Sequence, residues 1–152
     1  MTKATGSFEV TSMTEDPYEE LDGGFKLTHA SGAQRFTGDI EGDGAVHWLM
    51  LYRPDKTATF VGLQRITGTV AGRRGTFVLS AEGDHAGGSS SIRWTVATGS
   101  GTGDLAGISG TGSMTAPGGA KGTYELEHTV ENGPVRGGHP GRQPGARTRK
   151  WR

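Results

Sequence analysis

Gly99-Ser-Gly-Thr-Gly-Asp-Leu-Ala-Gly-Ile-Ser-Gly-Thr-Gly112 is the stretch that decides the fold, because six of its fourteen residues are glycine and strand-like alternation flanks it. Glycine accepts a positive φ and lets one strand pass close to another, since it has no Cβ to clash. Such a run belongs where a small sheet bends sharply or closes on itself. The segment therefore predicts an all-β domain with tight turns.

Turn signals recur every eight to twelve residues before and after this run, which is the spacing of a β-sandwich or β-barrel. The dipeptides Asp43-Gly44 and Pro54-Asp55 suit type I′ and type I turns, so consecutive strands are expected to pair antiparallel. Short helical turns are expected only at residues 14–22 and 102–107. The segments with strand-like alternation are residues 6–13, 24–31, 33–41, 45–53, 57–70, 75–83, 90–98, 108–116 and 122–131.

Residues 45–53 and 58–66 carry apolar side chains on both faces of an extended strand. In the first of them, one face carries Val46, Trp48, Met50 and Tyr52, and the opposite face carries His47, Leu49, Leu51 and Arg53. A barrel with a lumen on one side and a partner surface on the other explains such two-sided strands. The sequence therefore predicts a closed antiparallel β-barrel of about eight strands, formed by the first 131 residues.

The zero net charge of the chain hides two unlike regions. Residues 132–152 hold six basic and no acidic side chains, whereas residues 1–131 hold ten basic and sixteen acidic ones. The tail is rich in glycine and proline and has almost no apolar residue to order it, so it is predicted to be disordered. A basic arm can attract nucleic acid, but the run is short and the acidic body repels polyanions. A solvated tail without a nucleic-acid partner is the favoured interpretation.

Composition excludes several other classes of protein. The 152-residue chain contains no cysteine, which excludes disulfides and cysteine metal sites. Its five histidines show no paired metal spacing, and no glycine-rich segment precedes a helix that could hold a phosphate, so neither a metal nor a cofactor is expected. Residues 1–8 lack the apolar region of a secretion signal, and no run of eighteen apolar residues occurs. A cytoplasmic protein without membrane association is expected.

Five stretches carry a resemblance to the bacterial DUF3224 family of unassigned function. They are Phe8-Glu-Val10, Gln34-Arg-Phe-Thr-Gly-Asp-Ile-Glu-Gly42, Trp48-Leu-Met-Leu-Tyr-Arg-Pro-Asp55, Phe60-Val-Gly-Leu-Gln-Arg65 and Gly99-Ser-Gly-Thr-Gly-Asp-Leu-Ala-Gly107. The resemblance spans about residues 3–131 and leaves out the basic tail. That family is similar to the allene-oxide-cyclase-like, calycin-like β-barrels, whose members include plant cyclases and some bacterial polyketide cyclases with the substrate inside the barrel. The resemblance implies this fold, while any chemistry follows by analogy alone.

Glu9 is the candidate catalytic residue. Barrel cyclases need little acid–base power, because a preformed apolar cavity folds the substrate and a carboxylate steers the developing charge. Glu9 lies in mid-strand between Phe8 and Val10, and on an inward face it could act as a general base or stabilise a cation. The alternative is that Glu9 faces water or pairs with an arginine.

The candidate ligand-binding residues are those whose side chains could line or reach into an apolar lumen. Gln64 shares a face with Phe60 and would supply a polar group there, although a structural amide explains it equally well. The others are aromatic or apolar, and packing in a small β core is the alternative for each of them. The full set is Trp48, Met50, Tyr52, Gln64 and Trp94.

Two functions follow from these features. The first is a barrel that binds a small apolar molecule and acts on it as a cyclase or isomerase without a cofactor. The second is a non-catalytic barrel for binding or assembly, whose two-sided apolar strands are buried against a second copy in a homodimer. A hollow interior favours the first function, and an interior without a cavity of roughly 300 Å3 favours the second.

Overall fold

The computed structural model describes residues 1–131, which form a closed barrel of eight strands with consecutive neighbours hydrogen-bonded. The strands are β1 Thr2–Leu21, β2 Phe25–Gly38, β3 Ile40–Tyr52, β4 Ala58–Val70, β5 Arg73–Ala86, β6 Ser89–Val96, β7 Ile108–Ala116 and β8 Lys121–Val130, and a 3-10 turn spans Gly103–Leu105. Every pair is antiparallel, and β1 pairs with β8 to close the ring. The prediction of an all-β, closed antiparallel barrel is confirmed. The predicted disordered tail, residues 132–152, lies outside the described residues.

One end of the barrel is packed solid, and the glycine-rich segment helps to seal it. This segment connects β6 to β7 and runs beside β5, where Thr102 N donates to Thr76 O over 2.8 Å. Its 3-10 turn places Leu105 in the interior with no exposed surface. A Cβ at Gly101 would collide with the Leu105 carbonyl, so this close approach requires glycine. The predicted helical turn at residues 102–107 is confirmed in the form of this 3-10 turn.

Two predicted features of the first half of the chain are wrong. The predicted helical turn at residues 14–22 is the continuation of β1, which pairs with β2 as far as Leu21. The predicted strands 24–31 and 33–41 are mainly one strand, β2, because Gly32 stays paired with Met13 and does not interrupt it. Tertiary pairing has therefore overridden the local turn signals.

The predicted hairpin turn at Asp43-Gly44 is also wrong, since both residues lie within β3. Gly44 faces the interior, and a Cβ there would lie 2.8 Å from the Phe36 ring and 3.0 Å from Gln34 Oε1. Its glycine therefore makes room for neighbouring side chains. The type I turn at Pro54-Asp55 is confirmed, because the amide of the following Lys56 donates to the carbonyl of the preceding arginine over 2.9 Å.

The core consists of inward-facing side chains from all eight strands. Phe36, Trp94 and Tyr124 meet near its centre with ring centroids 5.6 to 6.1 Å apart. The Tyr124 hydroxyl accepts a hydrogen bond from the Ile40 amide over 2.8 Å, which ties β8 to the start of β3. Within residues 1–131, no helix has the length and apolar character needed to cross a membrane.

Candidate functional site

A cavity of about 150 Å3 occupies the end of the barrel opposite the Leu105 seal. We call it the lumen pocket. Most of its wall is apolar, with Trp48 and Phe60 rings whose centroids lie 4.8 Å apart in an edge-to-face arrangement. The polar side chains in its wall are Gln34, Glu15 and Ser90. The residues that line it are Phe8, Val10, Met13, Glu15, Ala30, Gln34, Trp48, Met50, Phe60, Ser90, Ile92, Ala116 and Gly119.

A chain of buried hydrogen bonds runs from the core to this pocket. The Trp94 indole N–H donates to Gln64 Oε1 over 2.7 Å, and Gln64 Nε2 donates to Gln34 Oε1 over 2.8 Å. Trp94, Gln64 and Gln34 are 1%, 0% and 4% exposed, respectively. We call these three residues the amide relay. It places a polar group, the Gln34 carboxamide, in the mainly apolar wall of the lumen pocket.

Glu15 is the carboxylate of the lumen pocket. Its Oε2 accepts hydrogen bonds from Thr28 Oγ1 over 2.6 Å and from the Tyr52 hydroxyl over 2.7 Å. Burial, together with the hydrogen bond to Glu15 and its negative charge, raises the pKa of Tyr52 to about 12. Tyr52 therefore remains a neutral donor at physiological pH and holds the carboxylate at the pocket wall. Sequence reasoning did not select Glu15 or Gln34.

The five residues proposed from the sequence as ligand-binding occupy three different places. Trp48 and Met50 line the lumen pocket. Gln64 and Trp94 lie deeper in the core and connect to the pocket through the amide relay. Tyr52 reaches the pocket through Glu15. Alternation along the strands was sufficient to select all five, and their binding roles remain predictions.

Glu9 does not share this location. It lies on the outer face of β1, because Phe8 and Val10 take the inward positions on either side of it. Its neighbours across the sheet are Arg35 on β2 and Lys121 on β8, and all three line a surface groove of about 460 Å3. Of the two placements considered for Glu9, the inward one is wrong and the alternative, exposure to water, is the one found. A catalytic role for this residue remains a prediction, and it would concern a molecule in the outer groove.

A second surface of interest lies on the outer face of the neighbouring strands β3 and β4. Leu49, Val61 and Leu63 are 52%, 48% and 56% exposed there. Register places Leu49 opposite Val61 and Leu63 opposite His47, so these side chains form a continuous area that we call the outer patch. The His47 ring stacks on that of His29 with centroids 5.3 Å apart. Within residues 1–131, no group of three or more histidine, aspartate or glutamate side chains is arranged to hold a metal ion.

Comparison with known proteins gives a consistent family and no activity. The sequence profile described as "Protein of unknown function (DUF3224)" matches residues 4–128. A solved structure of a protein with unknown function from the DUF3224 family of Shewanella oneidensis MR-1 is 26% identical to this chain, with a TM-score of 0.68. The alignment covers 86% of this chain and 98% of that one. None of the curated proteins matches.

Proposed function

We propose that this chain, which belongs to the DUF3224 family of proteins of unknown function, binds a small, mainly apolar molecule in the lumen pocket. The observation that supports this function is a cavity inside the barrel with an apolar wall and a few convergent polar groups, the usual composition of a small-molecule site. The cytoplasm as location, and the absence of cofactor and nucleic-acid partners, stay predictions from the sequence.

The volume of the lumen pocket limits what it can hold. A cavity of about 150 Å3 accommodates a benzene-sized molecule. Pockets that enclose drug-sized ligands are roughly 300 to 1,000 Å3. The lumen pocket therefore suits a single ring or the end of a chain, and it is too small to fold a long flexible substrate. For this reason we propose binding rather than the cyclase or isomerase activity considered from the sequence.

Titration with toluene, followed by NMR of the 15N-labelled protein, tests this function. We expect the indole N–H signal of Trp48 to shift with saturation, because Trp48 lines the pocket. Ala30→Leu should abolish the shift, since Ala30 lies in the pocket wall and is 2% exposed. Ala45→Leu is the matched control, because Ala45 is exposed on β3. Equal toluene binding by both variants, or no saturable shift in the unmodified protein, would contradict the proposal.

The outer patch supports self-association as a second function, and so does the interior, because its cavity of about 150 Å3 is smaller than the roughly 300 Å3 that separates the two functions. Exposed apolar area of this kind marks interaction surfaces more often than isolated leucines do. If two copies bury this patch, the double variant Leu49→Ser with Leu63→Ser should convert a dimer into a monomer in sedimentation velocity. Thr111→Ser on β7, across the barrel, should leave the dimer intact. A monomeric unmodified protein at micromolar concentration would rule this function out.

A further inference from the structure

We infer that the ligand of the lumen pocket is a neutral molecule with an acceptor oxygen, such as a ketone or ester carbonyl, that receives a hydrogen bond from the Gln34 carboxamide nitrogen. This inference rests on the proposed function and names the chemical class of its ligand. It follows from the direction in which the amide relay is hydrogen-bonded, from the free end of that relay, and from the negative charge of Glu15 in the pocket wall.

Trp94 fixes the direction of the whole relay. An indole N–H is a donor and never an acceptor, so the Gln64 atom that faces it must be the carboxamide oxygen. Gln64 then donates from its nitrogen to Gln34, and the accepting atom of Gln34 must be its carboxamide oxygen. Each glutamine is thereby held in one of its two possible amide orientations. The terminal group of the relay is consequently a donor, the Gln34 nitrogen.

This nitrogen remains available to a ligand. Its neighbouring oxygen is occupied by Gln64, and no acceptor within residues 1–131 receives a hydrogen bond from the Gln34 nitrogen. It nevertheless keeps some accessible surface, since His128 Nδ1 is the one fully buried side-chain nitrogen or oxygen without a partner in the same part of the chain. Gly44 gives the Gln34 carboxamide its space, as a Cβ there would lie 3.0 Å from Oε1. The pocket thus presents a positioned amide donor among apolar side chains.

Glu15 selects against an anionic ligand. Within residues 1–131, both hydrogen bonds of its carboxylate are accepted from hydroxyl groups, so Glu15 presents acceptor oxygens and negative charge to the pocket. A carboxylate ligand beside Glu15 would meet like charge, and although Glu15 is exposed and water screens part of this repulsion, the remaining part disfavours an anion. A neutral carbonyl compound meets the Gln34 donor without this penalty. The Gln34 donor and the Glu15 carboxylate therefore favour the same ligand class.

Two probes of nearly equal shape test the inference. Acetophenone has a carbonyl oxygen where α-methylstyrene has a methylene group, and both are close to the size of the pocket. We expect acetophenone to bind about tenfold more tightly, because the hydrocarbon covers the Gln34 donor without giving it a partner. Binding constants come from NMR titration, and the Gln34 side-chain amide signals should shift strongly only with the ketone. Benzoate should bind more weakly than acetophenone.

The outcomes separate this inference from the proposed function. If both neutral probes bind equally well, the lumen pocket binds apolar molecules and the inference is wrong. If neither probe binds, the proposed function fails, and the inference fails with it. Trp94→Phe provides a further test, because it removes the donor that orients the relay while leaving Gln34 in place. The preference for acetophenone should then fall several-fold, and an unchanged preference would show that Trp94 does not set the direction of the relay.

Discussion

Replacing Gln64 by leucine should destabilise the barrel through two polar groups that lose their partners. Gln64 has no exposed surface and makes one hydrogen bond to Trp94 and another to Gln34. Leucine has a similar volume but cannot form either of these hydrogen bonds. The indole N–H and the Gln34 oxygen would then lie in the interior without a partner, and water cannot easily replace the lost side chain at that depth.

The size of the effect follows from this count. Leaving a buried donor or acceptor without a partner costs about 1–3 kcal/mol, so two such groups amount to about 2–6 kcal/mol. Leucine returns part of this through its greater apolar surface. We expect the free energy of unfolding to fall by about 3 kcal/mol, a large share of the roughly 5–15 kcal/mol typical of a domain.

Urea unfolding monitored by tryptophan fluorescence measures this change through the shift in midpoint at constant slope. The control is the triple variant Gln34→Leu, Gln64→Leu and Trp94→Phe, in which no polar side-chain group of the relay remains without a partner. Removing all polar groups of the relay costs far less than leaving one of them without a partner. The loss in free energy of unfolding for the triple variant should therefore be smaller than the sum of the losses for the three single variants, by roughly 2 kcal/mol or more. Additive losses, or a Gln64→Leu variant as stable as the unmodified protein, would refute the hydrogen-bonded relay.

Glu15→Gln should lower the pKa of Tyr52 from about 12 but not to 10.0, because it removes the negative charge while burial, the largest cause of the shift, remains. Ultraviolet absorbance titration measures this pKa, Glu9→Gln is the control on the outer face, and equal titration curves for the two variants would contradict the contact. Since the Tyr52 pKa is raised on folding, its contribution to stability should be complete below about pH 10 and should disappear as the pH rises towards 12, which alkaline unfolding would detect. Gly62→Ala should destabilise the barrel, because the new methyl group would collide with the His47 carbonyl and lie 2.7 Å from the Trp48 ring, whereas Gly118→Ala meets nothing within 4 Å. Thermal unfolding of the two variants should differ by several degrees, and equal midpoints would show that the sheet relaxes around the methyl group.

Much of the fold could be predicted from the sequence, because alternation and turn signals act locally. What could not be predicted is whether a given glycine marks a turn or a close approach. Asp43-Gly44 has the composition of a hairpin turn, yet Gly44 lies in mid-strand to leave space for Phe36 and the Gln34 carboxamide. That requirement comes from two residues on β2, and no local sequence pattern around Gly44 indicates it. The amide relay escaped prediction for the same reason, since its three members come from three different strands.

The inward position of Glu15 results from a β-bulge in β1, whereas the outward position of Glu9 follows from its place between the inward-facing Phe8 and Val10. Val10 pairs with Gln34 and Ser12 pairs with Ala33, so β1 has two residues where β2 has one. Before the bulge, even-numbered positions such as Val10 face the lumen, and after it the odd-numbered Met13 and Glu15 do. A bulge adds one residue without any change in composition, so a strict two-residue alternation cannot reveal it. Bulges are frequent beside binding sites because they re-aim a side chain, and here the bulge brings a carboxylate into the lumen pocket.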